Sequence, residues 1–174
     1  QIDAAASPTL TGCIARGNTS YGVLVAASAT LDHCTLASNG SYGVYHSASS
    51  TGSLVVRSSI VTGHSYGVCR YGYSASITVE HSNVWGNGSG NYSNASAGTG
   101  SMSANPLYVS TTNLRLTSNS PSRFSASDGS DMGALAYVGD ATPGPYGTLW
   151  VDTTLSGAVN VAGDLTVAPG VTLT

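Results

Sequence analysis

Apolar residues in this chain fall in short bursts rich in Val, Leu, Ile and Thr, and each burst ends at Gly, Asn or Ser. Such bursts, too short for helices and bounded by turn residues, predict β-strands of a few residues each. The bursts also recur. Thr9–Val23 aligns with Thr30–Val44 and with Leu54–Val68, and Thr78–Ser89 opens a fourth copy that then diverges. Ser-Tyr-Gly-Val closes the first three copies unchanged, and the ungapped alignment stacks Cys13, Cys34, Ser58 and Ser82 at spacings of 21, 24 and 24 residues. Leu10, Leu31, Val55 and Val79 form a second column, Ala15, Leu36, Ile60 and Val84 a third.

A period of this length built from short strands predicts one coil per copy, with about three strands each, stacked at about 4.8 Å. The fold class that follows is all-β, a right-handed parallel β-helix. The Leu10/Leu31/Val55/Val79 column is expected to point inward as one wall of the core. Asn18, Asn39, Gly63 and Asn87 share a turn column, where Asn and Gly tolerate left-handed backbone. Leucine-rich repeats have similar periods, but their spaced leucine signature is missing here.

After Gly90 the pattern loosens, and Gly90–Ser101 reads as a loop excursion between coils. Then come Asn105-Pro106-Leu107-Tyr108-Val109, Leu114-Arg115-Leu116, Ser120-Pro121 and Asp131-Met132-Gly133-Ala134. Together with the repeats, this closing segment resembles secreted bacterial β-helix proteins of the pectate-lyase-like superfamily over roughly residues 1–135. The resemblance implies the fold and a secreted or cell-surface setting. It is nearly silent on activity, because that group includes lyases, hydrolases and adhesins. Ser122-Arg123-Phe124 departs from the pattern, where small or apolar residues and an Asp are usual.

The expected organisation is β-helix coils over 1–135, with the closing segment at about 104–135. A Pro/Gly linker over 136–147 and the start of a further β-strand module over 148–174 follow. Opening on Gln1 and ending inside a strand-like run, the chain reads as a mature or excised piece of something longer. No apolar run reaches membrane-spanning length, so no membrane insertion is expected in this segment.

Composition narrows the function. Of 174 residues only 7% are charged, none is lysine, and the net charge is −3, with five scattered arginines. Nucleic-acid binding is excluded, since neutralising phosphates takes clustered Lys and Arg. The three cysteines, Cys13, Cys34 and Cys69, lack metal-site spacing. Cys13 and Cys34 occupy one column, where parallel side chains strain a disulfide and stacked buried thiols are expected.

Candidate chemistry is sparse. The alignment places His33, Arg57 and His81 in an outward column flanked by Asp32 and Glu80, which makes Asp32, Arg57 and Glu80 the best catalytic candidates for a polysaccharide lyase. The two carboxylates are expected about 10 Å apart, too far to share one Ca²⁺. Asp128 and Asp131 lie close in a turn sequence, suited to turn capping or to weak Ca²⁺ binding, the one cofactor considered. Tyr21, Tyr42 and Tyr66 stack in a column that either caps a coil corner or binds sugar rings. Asn18, Asn39, Asn87, Asn91 and Asn94 stand in Asn-x-Ser sequons, natural glycosylation acceptors if the turns are exposed. The favoured function is a non-catalytic extracellular stalk, adhesin or filament segment. Its expected partners are further copies of itself, end to end, or a cell-surface polysaccharide. A lyase or hydrolase and a carbohydrate-binding module are the competing readings.

Overall fold

The computed structural model describes residues 1–2, 7–47, 52–72, 75–139 and 144–174. Four coils stack in sequence order. The first holds β1 (Thr9–Thr11), β2 (Ile14–Arg16) and β3 (Tyr21–Val25). The second holds β4 (Ala29–Asp32), β5 (Thr35–Ala37) and β6 (Tyr42–His46). The third holds β7 (Ser53–Arg57), β8 (Ile60–Thr62) and β9 (Tyr66–Arg70). The fourth holds β10 (Ser76–Glu80), β11 (Asn83–Trp85) and β12 (Gly90–Ser93). All inter-coil pairing is parallel, giving three four-stranded sheets: β1-β4-β7-β10, β2-β5-β8-β11 and β3-β6-β9-β12. The result is a parallel β-helix, as the repeat predicts. No helix is present among the described residues, so none is long and apolar enough to cross a membrane.

The fourth coil extends further than the sequence suggests. Gly90–Ser93, expected to be loop, is β12, and Gly90 pairs with Tyr66 where a fourth tyrosine would stand. Residues 98–104 then run across the top. Gly98 N–H donates to Val79 O (2.8 Å), His81 N–H to Thr99 O (2.8 Å) and Met102 N–H to Ser82 O (2.9 Å). These bonds cover the upper edges of β10 and β11.

The third coil is out of the expected alignment by one residue. Leu31 pairs with Val56 and not Val55, and Leu36 pairs with Val61 and not Ile60. Likewise Cys34 N–H donates to Ser59 Oγ across 25 residues, and Ser59 N–H to Ser82 Oγ across 23, which removes Ser58 from that column. The cause is a turn. Asn39-Gly-Ser-Tyr42 in the second coil is matched by His64-Ser-Tyr66 in the third, one residue shorter. Aligning on Ser-Tyr-Gly-Val without a gap therefore shifts everything before that turn. A one-residue slip swaps the faces of a strand. Val56 is fully buried in the core, while Val55 is half-buried on the outside.

With the register corrected, Leu31, Val56 and Val79 line one wall and Leu36, Val61 and Val84 another, while Val44 and Val68 line the third. Leu10 and Ala15, in the first coil, are only half-buried against the same cluster. Removing each such side chain from water is worth about 1.5–3 kcal/mol, so these columns carry the stack.

Above the exposed Asn18, the turn column runs into the interior. Asn18 N–H donates to Asn39 Oδ1 (3.0 Å), Asn39 N–H to His64 Nδ1 (3.0 Å), and His64 N–H to Asn87 Oδ1 (3.0 Å). His64 thus replaces the expected Gly63 and acts as an amide oxygen would, with its Nε2–H donating to Leu36 O (3.2 Å). Room for this ladder comes from the glycine of Ser-Tyr-Gly-Val. A Cβ on Gly43 would meet Val61 Cγ1, the His64 ring at 2.7 Å and Gly67 O at 2.8 Å. On Gly67 it would meet Asn87 Nδ2 at 2.8 Å. The motif repeats because each coil's glycine makes space for the next coil's ladder side chain.

A second apolar cluster lies outside the coils. Leu116, Ala126 and Met132 of the closing segment pack on the outward Ile60, with Tyr108 and Tyr137 at the edge. Asn83 Nδ2–H donates to Ala104 O (2.8 Å) and Ser122 Oγ (2.9 Å), and Ala134 N–H donates to Thr35 Oγ1 (2.9 Å). The closing segment therefore adds no rung. It sheathes the outer face of β5, β8 and β11. Ile14, the equivalent residue in the first coil, stays 44% exposed.

Farther on, β13 (Gly147–Leu149) pairs in parallel with β14 (Leu165–Val167). This pair sits against the closing segment through Thr148 N–H to Asn119 O (2.8 Å) and Trp150 Nε1–H to Ser120 O (2.9 Å). The Pro/Gly linker lies partly outside the described residues.

Gly43→Ala should cost about 1–3 kcal/mol of stability, the range for overpacking a filled core, read as a lower urea midpoint with an unchanged slope. Burial pushes the pKa of His64 down, against weaker opposing bonds to Asn39 and Leu36. A depressed folded value means stability is complete above the unfolded imidazole pKa of about 6.5 and is lost as pH falls below it. His64→Asn should therefore unfold like the parent at pH 7.5 and lose less stability than the parent between pH 6.5 and 5.

Candidate functional site

The corrected register rearranges the proposed catalytic column. Asp32 pairs with Arg57, and Arg57 with Glu80, so these three share one outward column on β4, β7 and β10. His33 and His81 belong to the next position with Ser58, not with Arg57. At that corner the backbone turns left-handed, with φ of 48°, 50° and 43° at His33, Ser58 and His81.

Arg57 Nη2 donates to Asp32 Oδ2 at 2.8 Å, and Asp32 Oδ1 lies 2.9 Å from His33 Nδ1. The Arg57 guanidinium is the main reason that the Asp32 carboxyl is held below the usual range. Glu80 forms no ion pair with Arg57 within 4 Å and contributes only a weaker, longer-range attraction.

On its other side, His33 Nε2 hydrogen-bonds Ser130 Oγ at 3.0 Å and lies 3.6 Å from Asp128 Oδ1. Asp32, the catalytic candidate, and Asp128, the metal candidate, are thus brought together across His33. Asp32, His33 and Ser130 are linked like a serine-nucleophile relay. The chemistry differs, because Ser130 donates its hydroxyl proton to Asp128 Oδ1 at 2.6 Å. With its proton engaged there, Ser130 offers His33 Nε2 only a lone pair. The ring bridges Asp32 on one side and the Ser130–Asp128 pair on the other.

The surrounding bonds have the same effect. Ser127 N–H donates to Ser58 Oγ (3.1 Å), and Gly133 N–H to Ser58 O (2.8 Å). The cluster is where the closing segment is fastened to the coils. Asp131 spends Oδ1 on Phe124 N–H (3.2 Å) and Oδ2 on Tyr137 N–H (2.9 Å). Asp128 Oδ1 also accepts the Ser130 N–H at 2.9 Å. Both carboxylates thus cap turns, whereas calcium takes six to eight oxygens. Among the described residues no group of three or more His, Cys, Asp or Glu is placed to hold a metal ion.

The tyrosine column forms as expected. Tyr21 and Tyr42 stack at 5.7 Å and 13°, and Tyr42 and Tyr66 at 5.9 Å and 16°. Tyr45 leans on Tyr21 and Tyr42 with centroids at 5.2 and 4.8 Å. The rings turn their faces to one another, whereas a sugar platform needs open faces. This geometry suits packing along the outer surface of the sheet.

The sequons divide. Asn39 is buried, and its Nδ2 donates to Ala15 O (3.1 Å), while Asn87 Nδ2 donates to Asn91 Oδ1 (2.9 Å) inside the corner. The expectation of exposed turns fails for these two, because their amides are rungs of the internal ladder. Asn18 and Asn94 are exposed and Asn91 is half-buried. Cys13 is an exposed thiol, not a buried one, whereas Cys34 is buried and its Sγ–H donates to Leu10 O (3.3 Å). Burial pushes the Cys34 thiol up to about 11.

The fastening between His33, Ser130 and Asp128 was not legible in the sequence, since its members lie nearly a hundred residues apart. Only the Asp32/Arg57 pairing carried a signal, through the repeat. Asp32→Asn removes the anchor for both Arg57 and His33. It should cost about 1 kcal/mol and speed hydrogen exchange at the Ser127 and Gly133 amides while leaving the Val56 and Val61 amides protected.

The family profile described as "Right handed beta helix region" matches residues 1–84. No curated protein and no solved structure matches the chain. The profile covers the first coils and the start of the fourth, where the three parallel sheets and inward aliphatic columns lie. The profile over residues 1–84 and the stacked parallel coils together support a right-handed β-helix repeat protein.

Proposed function

We propose that the chain is a non-catalytic structural module of an extracellular or cell-surface protein, a stalk, adhesin or filament segment. One observation carries this reading. The charged column that resembled a catalytic site is committed to fastening, with Arg57 on Asp32, Asp32 on His33, and His33 on Ser130 and Asp128. Groups held this way resist separation of the closing segment from the coils. A lyase instead needs a base free to take a proton beside a carboxylate it has bound. Stacked tyrosines and an internal amide ladder add stiffness along the axis, which suits a spacer. End-to-end growth through the top of the stack is disfavoured, because residues 98–104 already bond to the upper edges of β10 and β11. A cell-surface polysaccharide is the partner class to which such a module would anchor.

Incubation with polyuronates and neutral polysaccharides, with Ca²⁺ present, tests the reading through new reducing ends and unsaturated products. The expected result matches a heat-inactivated control on every substrate. Turnover that disappears in Arg57→Ala would overturn the proposal and restore the Asp32/Arg57/Glu80 column as an active site.

A further inference from the structure

We infer that the cleft between the closing segment and the β13–β14 unit binds a small carboxylate whose body is apolar and ring-bearing. The inference begins at Arg123 and Phe124, where the chain departs from the pattern of the proteins it resembles. Arg123 lines a cleft of about 530 Å³ together with Tyr137, Leu149, Trp150 and Leu155. That size lies within the range of small-molecule sites, about 300–1,000 Å³.

The guanidinium is placed with care. Its carbon lies 4.2 Å from the Tyr137 ring centroid and 4.7 Å from that of Phe124. Phe124 is braced in turn by Trp150, edge to face at 5.3 Å. Nη1 donates to Ser118 O at 2.7 Å. Among the described residues Nε is buried with no partner, and Nη2 has no hydrogen-bond acceptor. The ion pairs among the described residues join His33, Arg57, Asp32 and Asp128, and none of those residues' carboxylates pairs with Arg123. A permanently charged, ring-clamped fork with an unused donor in a largely apolar cleft complements an anion.

The rest of the lining selects the body of that anion. A sugar would need partners for several hydroxyls, but the Asn119 amide and the Trp150 indole N–H in this lining are already engaged. Asn119 Nδ2 donates to Gly144 O (3.3 Å) and Tyr146 O (3.1 Å), and Trp150 Nε1 to Ser120 O (2.9 Å). Leu149, Leu155 and the two rings offer apolar contact instead. The ligand class is therefore an aromatic or alicyclic carboxylate, with its carboxylate on Arg123.

Titration calorimetry on the full chain tests this with 1-naphthoate, its neutral analogue 1-naphthalenemethanol, and glucuronate. One naphthoate should bind per chain, with the alcohol about tenfold or more weaker and glucuronate giving no saturable heat. Arg123→Gln should bring naphthoate down to the affinity of the alcohol and leave the alcohol unchanged. If the variant does not fold, the acid-to-alcohol ratio on the unsubstituted protein decides alone. Equal affinity for acid and alcohol, tighter binding of glucuronate than naphthoate, or no binding of naphthoate would each overturn the inference.

Discussion

The coil corner is the constraint on which the rest of this structure depends. Where the chain turns between its second and third strands, a polar side chain must go inside, because the backbone amides of adjacent rungs need partners there. Asn39, His64 and Asn87 meet that need, accepting in turn the backbone N–H groups of Asn18, Asn39 and His64 one coil below. A buried, unsatisfied amide would cost about 1–3 kcal/mol, so each member is held in register by its neighbours. The ladder can fit only because Gly22, Gly43 and Gly67 leave the facing strand without side chains at that height. Aliphatic columns then fill the remaining section, and the sheets take their spacing from the same stack.

A second layer depends on the first. Once the coils are in register, the outward residues Thr35, Ile60 and Asn83 form a line on one face. The closing segment reads that line with one hydroxyl contact, one apolar contact and one amide contact. The charged fastening at His33 holds its far end. Charge is scarce in this protein, and where it gathers it joins distant parts of the chain.

The legibility of the sequence follows this hierarchy. Local spacing revealed the strands, the coil period and the tyrosine column, because each depends on residues close in sequence. The register of the third coil is concealed in the sequence because Ser-Tyr-Gly-Val is a strong local match lying beyond a shortened turn. His64 carried no visible sign that it would replace an asparagine, although its ring nitrogen offers the same acceptor. The sheath was legible as a motif but not as a position, and nothing in the repeat linked His33 to Ser130. Arg123 was visible as a departure, but its surroundings come from Tyr137 and Trp150, which only the tertiary fold brings near.

The sheath has a consequence for how such a protein can change length. Solenoids grow and shrink by gaining or losing whole coils. Here Gly133, Ala134, Ser122 and Met132 are matched to particular rungs of the second, third and fourth coils. Inserting a coil among those rungs would pull the segment's contacts out of step by one strand spacing. Below the second rung the apolar cover ends, and Ile14 is 44% exposed. Apart from the bonds of Arg16 to Thr111 and Thr112, a coil can be added or lost there without unseating the segment. A change in coil number is thereby least disruptive at one end, and the closing segment acts as a ruler that fixes the other.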